Sequence, residues 1–201
     1  MKSITKFITT LLLSTLLSPT FLFGHSDSSL AGAGILEGFV HPISGLDHVV
    51  AMIAVGMWGA ILRSPAMWIL PVAFPIAMAF GGVLGIVGVP LPFTEEVIAL
   101  SGIVLGFFVA THRQLPLWLA CAVVGVFAIF HGHAHGVEAP KTASPIGYVV
   151  GFVCGTGFMH LSGIALGFLD DRNLGGIPIG KLMITSCGIG IMATGMYYLV
   201  R

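Results

Sequence analysis

From residue 45 onward the chain consists of long apolar runs separated by short polar interruptions. At about 20 apolar residues per membrane crossing, the runs Gly45 to Leu62, Met67 to Val89, Glu96 to Thr111, Leu115 to Phe130, Ile146 to Leu169 and Ile177 to Val200 predict six transmembrane helices with short connections. Ahead of them, Lys2 and Lys6 precede a short apolar stretch from Phe7 to Leu17, and Gly24 offers a small residue before His25. This pattern reads as a cleavable signal peptide over residues 1–24, leaving one six-span domain over residues 25–201. Arg63, Arg113 and Arg172 follow the first, third and fifth spans, with Lys181 near the last of these, while the opposite side carries only Lys141 and Arg201. The positive-inside rule then makes the arginine loops cytoplasmic and the mature N-terminus external, as cleavage of a signal also requires. The expected location is a bacterial cytoplasmic membrane.

Composition agrees with the pattern. Of 201 residues, 56% are hydrophobic and only 8% charged, and the mean hydropathy is +1.03, which excludes the polar surface of a soluble domain. The expected class is an all-α integral membrane protein. The formal net charge is zero, so there is no electrostatic footprint for nucleic acid. Cys121, Cys154 and Cys187 lie in apolar runs without CxxC spacing and read as packing residues. Histidine, at eight, equals the totals of basic and of acidic residues, which points to metal or proton chemistry.

The histidines cluster. His41, Asp47 and His48 stand within eight residues at the outer end of the first span. An ionisable group at membrane depth costs about 2.5 kcal/mol or more, so such groups usually line a cavity, pair or hold an ion. Pro42 and Gly45 predict that this span is broken there. On a continuous helix His48 and Met52 would share a face, while Asp47 and His48 would diverge by about 100°. One of that pair could therefore ligate while the other orients it or serves an opposite wall. A second cluster, FHGHAHGVEAP from Phe130 to Pro140, ends the fourth span. If the helix continues, His131 and His135 share a face, His135 meets Glu138, and His133 faces away; Gly132 and Gly136 weaken a helix, which leaves a coiled mouth that collects cations as the alternative. Glu95 and Glu96 open the third span on the same side, and His25 would add an imidazole beside a free amine if cleavage occurs. His160 lies deeper, in the fifth span, and His112, beside Arg113, reads as a solvated loop residue. Imidazole and carboxylate donors with almost no thiolate suit nickel, cobalt or zinc better than copper(I) or magnesium.

Other features limit the mechanism. GGIPIGKL, from Gly175 to Leu182, approximates a phosphate loop but lacks the magnesium-binding hydroxyl, and no ATPase subunit is evident. Neither GxSxG nor HExxH is present. Gly102 with Gly106, Gly151 with Gly155 and Gly163 with Gly167 are spaced for close helix packing, and a homo-oligomer stays open. Trp58, Trp68 and Trp118 read as interfacial aromatics.

The run HPISGLDHVVAMIAVGMWGA from His41 to Ala60, followed by FHGHAHGVEAP and the GFMHLSG of the fifth span, resembles the HupE/UreJ family of hydrogenase and urease accessory proteins across essentially the whole mature chain. That resemblance implies a small bacterial permease for nickel, or for cobalt in some members, serving metalloenzyme maturation without being an enzyme and without a prosthetic group. It carries a metal-handling role to His41, Asp47 and His48, which match its HPxxGxDH motif, and to His135 and Glu138, which match its AHGxE motif. Glu95 is carried over too, although Glu96 could fill the same place, and His25 matches the histidine that often follows the family's signal. The residues themselves keep two rivals in view: an intramembrane zinc hydrolase, which should hold one metal in one pocket, and a subunit that binds metal without transporting it.

Overall fold

The computed structural model describes residues 30–138 and 145–201; the expected signal peptide, His25 and Lys141 lie outside the described residues. Within them the chain is helical: α1 (Leu30–Ser44), α2 (Leu46–Leu62), α3 (Ala66–Ile86), α4 (Thr94–Ala110), α5 (Leu117–Val137), α6 (Pro145–Gly167), a 3-10 turn (Phe168–Asp171) and α7 (Ile179–Val200). Four stretches are long and apolar enough to cross a membrane: α3, α5, α6 with its 3-10 extension, and α7. Gly34–Ser44 and Leu46–Leu62, bent by 85° at Gly45, count together as a fifth. At 17 residues α4 is at the short limit for a span. Ile76, Phe80, Val83, Ile146 and Leu182 are among many large apolar side chains on the outer surface, the arrangement expected where the surrounding solvent is lipid.

Two boundaries and one aromatic residue differ from the expectation. Helix α1 precedes the first run and continues through Pro42, so the break falls at Gly45 alone. Helix α5 does not stop at Phe130 but carries His131, His133 and His135 inside it to Val137. Two glycines there should weaken a helix by about 1 kcal/mol each. They are instead the contact points with α3: a methyl group on Gly132 would overlap the Met78 carbonyl, and one on Gly136 the Gly82 carbonyl. The third difference is Trp58, which is fully buried rather than interfacial; its indole N–H donates to the Arg113 carbonyl at 2.9 Å.

Close backbone approach joins the other pairs as well. Gly151 meets the Ile35 carbonyl (α6 on α1), Gly163 the Ile53 carbonyl (α6 on α2), and Gly195 the Ala99 carbonyl (α7 on α4). Without a hydrophobic drive between helices in lipid, such contacts supply the packing. They produce a bundle with two unlike ends. At one, the Arg63 guanidinium donates to Asp171 at 2.6 Å. Beside it His112 Nε2 lies 2.7 Å from Asp170 Oδ1, so His112 is a hydrogen-bond partner of the 3-10 turn rather than a freely solvated loop residue. The other end carries the first and second histidine clusters.

The glycine contacts give a direct test. Gly132→Ala should lower the detergent-solubilised protein's thermal stability by about 1–3 kcal/mol, the usual cost of overpacking. Gly125, which has open space around it, should accept alanine without loss. Equal melting of the two variants would show that α3 and α5 do not touch through Gly132.

Candidate metal centre

The site begins at the break. Gly45 has ordinary extended dihedrals, φ −98° and ψ 118°, so it is not there for its backbone freedom. It is there for space: a Cβ at residue 45 would lie 2.9 Å from Asp47 Oδ1 and 3.0 Å from His48 Nδ1. Asp47 folds back at the start of α2, where its Oδ1 accepts the His48 backbone N–H at 2.9 Å and lies 3.0 Å from His48 Nδ1. A carboxylate in a first helical turn also suits the helix dipole. Asp47 thereby orients His48, with its Nδ1–H donating and its Nε2 left as a lone pair. That Nε2 is buried and without a hydrogen-bond partner.

Helix α1 brings His41 over the same space, and the last turns of α5 bring His135 and Glu138. His41 Nε2 and His135 Nδ1 are 3.0 Å apart. One ring must donate; with His135 as donor its buried, unpartnered Nε2 is a lone pair rather than a stranded N–H, the rarer of the two faults in folded chains. One donor atom from each of His41, His135 and Glu138 falls within 4.8 Å of the others. The His48 ring stands 4.5 Å from that of His135. Phe152 of α6 meets the His135 ring edge-on at 4.8 Å, giving the imidazoles an apolar back wall.

His41, Asp47, His48, His135 and Glu138 line a cavity of about 200 Å³ whose other walls include Ser44 and Glu95. Glu95, rather than Glu96, reaches it. The left-handed Phe93 (φ 60°) turns the chain into α4 just before this glutamate. Five carboxylates, Glu37, Asp47, Glu95, Glu96 and Glu138, stand at this end of the bundle, while Arg63, Arg113, Arg172 and Lys181 stand at the other. The cavity therefore offers oxygen and neutral nitrogen donors in an acidic surround, a donor set for a borderline divalent cation.

The remaining predicted residues separate from it. His131 is fully buried below the cavity, its ring 4.8 Å from that of His48. Ser101 gives its one proton to the Ile98 carbonyl at 2.6 Å, so at 3.0 Å its oxygen must accept from His131 Nε2–H. His131 Nδ1 is left unpartnered. His133 turns away, as a continuous helix requires, and donates to the Val89 carbonyl at 2.8 Å, tying α5 to the α3–α4 loop. His160 lies deeper still, donating through Nδ1 to the Met52 carbonyl at 2.9 Å. Met52 itself has its side chain in the apolar core and not at the cavity; the fit of His48 and Met52 on one face does not make the thioether a donor there. Ser101 and the aromatic wall of Phe152 escaped the sequence reading, because a serine before a glycine and a phenylalanine in an apolar run both look like packing.

Comparison with known proteins shows the family. The family model described as HupE / UreJ protein matches residues 12–198. Protein HupE of Rhizobium leguminosarum bv. viciae is 48% identical over 145 residues, covering 72% of this chain and 76% of that protein. No solved structure matches. The chain belongs to the HupE/UreJ family.

If Asp47 acts by holding His48, Asp47→Ala should weaken divalent-cation binding by about 10–100-fold, as loss of an orienting partner does. Arg63→Ala, at the far end, should leave it unchanged. Titration calorimetry on purified protein would show this, and equal affinities would remove Asp47 from the site.

Proposed function

We propose that this HupE/UreJ protein is a secondary permease that carries nickel inward across the cytoplasmic membrane for assembly of a metalloenzyme. The observation that carries the reading is the state of the buried imidazoles. His48, His131 and His160 each have one ring nitrogen engaged by a fixed partner and the other buried without one. Imidazoles fixed through one ring nitrogen, with the other turned to no partner, are placed as metal ligands are. They stand at successive depths rather than around one point, which favours passage over a single hydrolytic zinc centre.

In this reading the carboxylate-rich end attracts the cation, and Glu138 and Glu95 meet it at the cavity while it is still partly hydrated. His41 and His135 replace some of its water, and His48, oriented by Asp47, draws it inward toward His131. Exchange among several incomplete donor sets keeps each step shallow, so that the ion binds strongly enough to enter and weakly enough to leave. The histidine and carboxylate donors fit nickel, cobalt and zinc alike; nickel is preferred because the family resemblance points to it. A span topology with the arginine end cytoplasmic would set the direction from the cavity toward the cell interior.

Purified protein in liposomes should accumulate radioactive nickel with time, and His48→Ala and His135→Ala should each reduce the rate to background. Cobalt and zinc added as competitors would rank the metals. Tight binding without accumulation by correctly inserted protein would overturn the permease reading.

A further inference from the structure

Below the cavity the row of rings continues. From His131 the next ring is Phe74 of α3, with centroids 5.7 Å apart, and beyond it His160 of α6, 5.2 Å from Phe74 in an edge-on arrangement. His131 and Phe74 are fully buried and His160 is 1% exposed. His160 is about 22 Å along α6 from Pro145, at 1.5 Å per residue, and so near the middle of the bundle, level with Met52 of α2. Its Nδ1–H is committed to the Met52 carbonyl, and Nε2 has no partner. One helical turn earlier Thr156, also fully buried, has a hydroxyl oxygen with none; residues at i and i+4 are neighbours on one helix face. Two orphaned polar groups this deep in an apolar bundle call for a ligand that the protein itself does not supply.

The helix that carries Phe74 is built to yield at that point. Pro71 and Pro75 lie within α3 on either side of it. Neither can donate a backbone hydrogen bond, so the turns around Phe74 lack two of their intrahelical bonds, a recognised cause of local bending.

We propose that His160 and Thr156 form a second, interior stop for the divalent cation, and that Phe74 is the gate separating it from the His48 and His131 imidazoles. The idea rests on the permease reading for its purpose, but the interior stop exists or fails on binding alone. With its ring in place, Phe74 fills the route with apolar surface that a hydrated cation does not cross, as hydrophobic constrictions do in channels. When the ring swings aside, the lone pairs of His131 and His160 lie on one path, and an ion can pass from one imidazole to the next.

The test is to count nickel ions bound per chain by equilibrium dialysis of the purified protein, alongside uptake in liposomes. His160→Asn is the decisive variant, because the asparagine amide can still donate to the Met52 carbonyl while the second ring nitrogen is gone. It should melt like the wild type, unlike His160→Ala, hold one ion fewer per chain, and transport at least about tenfold more slowly. Retention of every ion in His160→Asn would overturn the interior stop, whatever its transport rate. Thr156→Val leaves the imidazole intact and should weaken only the last-filled ion; unchanged affinity would remove the threonine. Phe74→Ala should keep the full number of ions and pass nickel severalfold faster, and an unchanged rate would overturn the gate. If the wild type accumulates no nickel, the permease reading and the gate fall together, while the ion count still decides the interior stop.

Discussion

An imidazole buried in an apolar bundle must account for both of its nitrogens, and this requirement shapes the interior of the protein. Asp47, Ser101, Val89 and Met52 each accept from one nitrogen of a histidine. The accepted proton sets the tautomer, and the tautomer leaves the second nitrogen as a buried pair of electrons with nothing to meet it. A chain selected for stability alone would fill such positions with leucine. The arrangement repeats from the cavity wall at His48 down to His160, and polar groups at such depths usually mark a site or an ion path.

Positions of this kind hold only if the helices cannot drift, and the glycines supply that rigidity. Gly132 and Gly136 alternate with His131, His133 and His135 along α5. Their backbone contact with α3 turns His131 and His135 toward α1 and α2. Gly163 and Gly56 do the same at the α2–α6 crossing beside His160. The far end is fastened differently. Arg63 and His112 both adopt left-handed backbone angles, φ 68° and 51°, uncommon for residues with a Cβ, and both reach the acidic 3-10 turn through side-chain contacts. One end is thus polar, paired and closed upon itself; the other is acidic and opens into a cavity.

Much of this was legible from residue order. Four of the apolar runs are helices long enough to cross a membrane and the bent pair at Gly45 makes a fifth, and His41, Asp47, His48, His135 and Glu138 announce themselves because ionisable groups are costly in such runs. Helical spacing also placed His131 with His135 and turned His133 away. Other features were not legible, for definite reasons. Whether Gly45 served dihedral freedom or space depended on where Asp47 and His48 would fold. Whether Gly132 and Gly136 weakened a helix or welded it to another depended on Met78 and Gly82, some 54 residues earlier in the chain. The choice of Glu95 over Glu96 turned on one helical step of rotation at the start of α4.

By itself, then, the sequence determined the solvent, the helices and the chemistry of the donors, because hydropathy, period and side-chain type are local properties. Only the tertiary structure decided which nitrogen of each histidine is free, that Met52 contributes a carbonyl rather than a sulfur, and that Phe74 stands between His131 and His160. Those are matters of which atoms meet across helices far apart in the chain, and no local pattern encodes them.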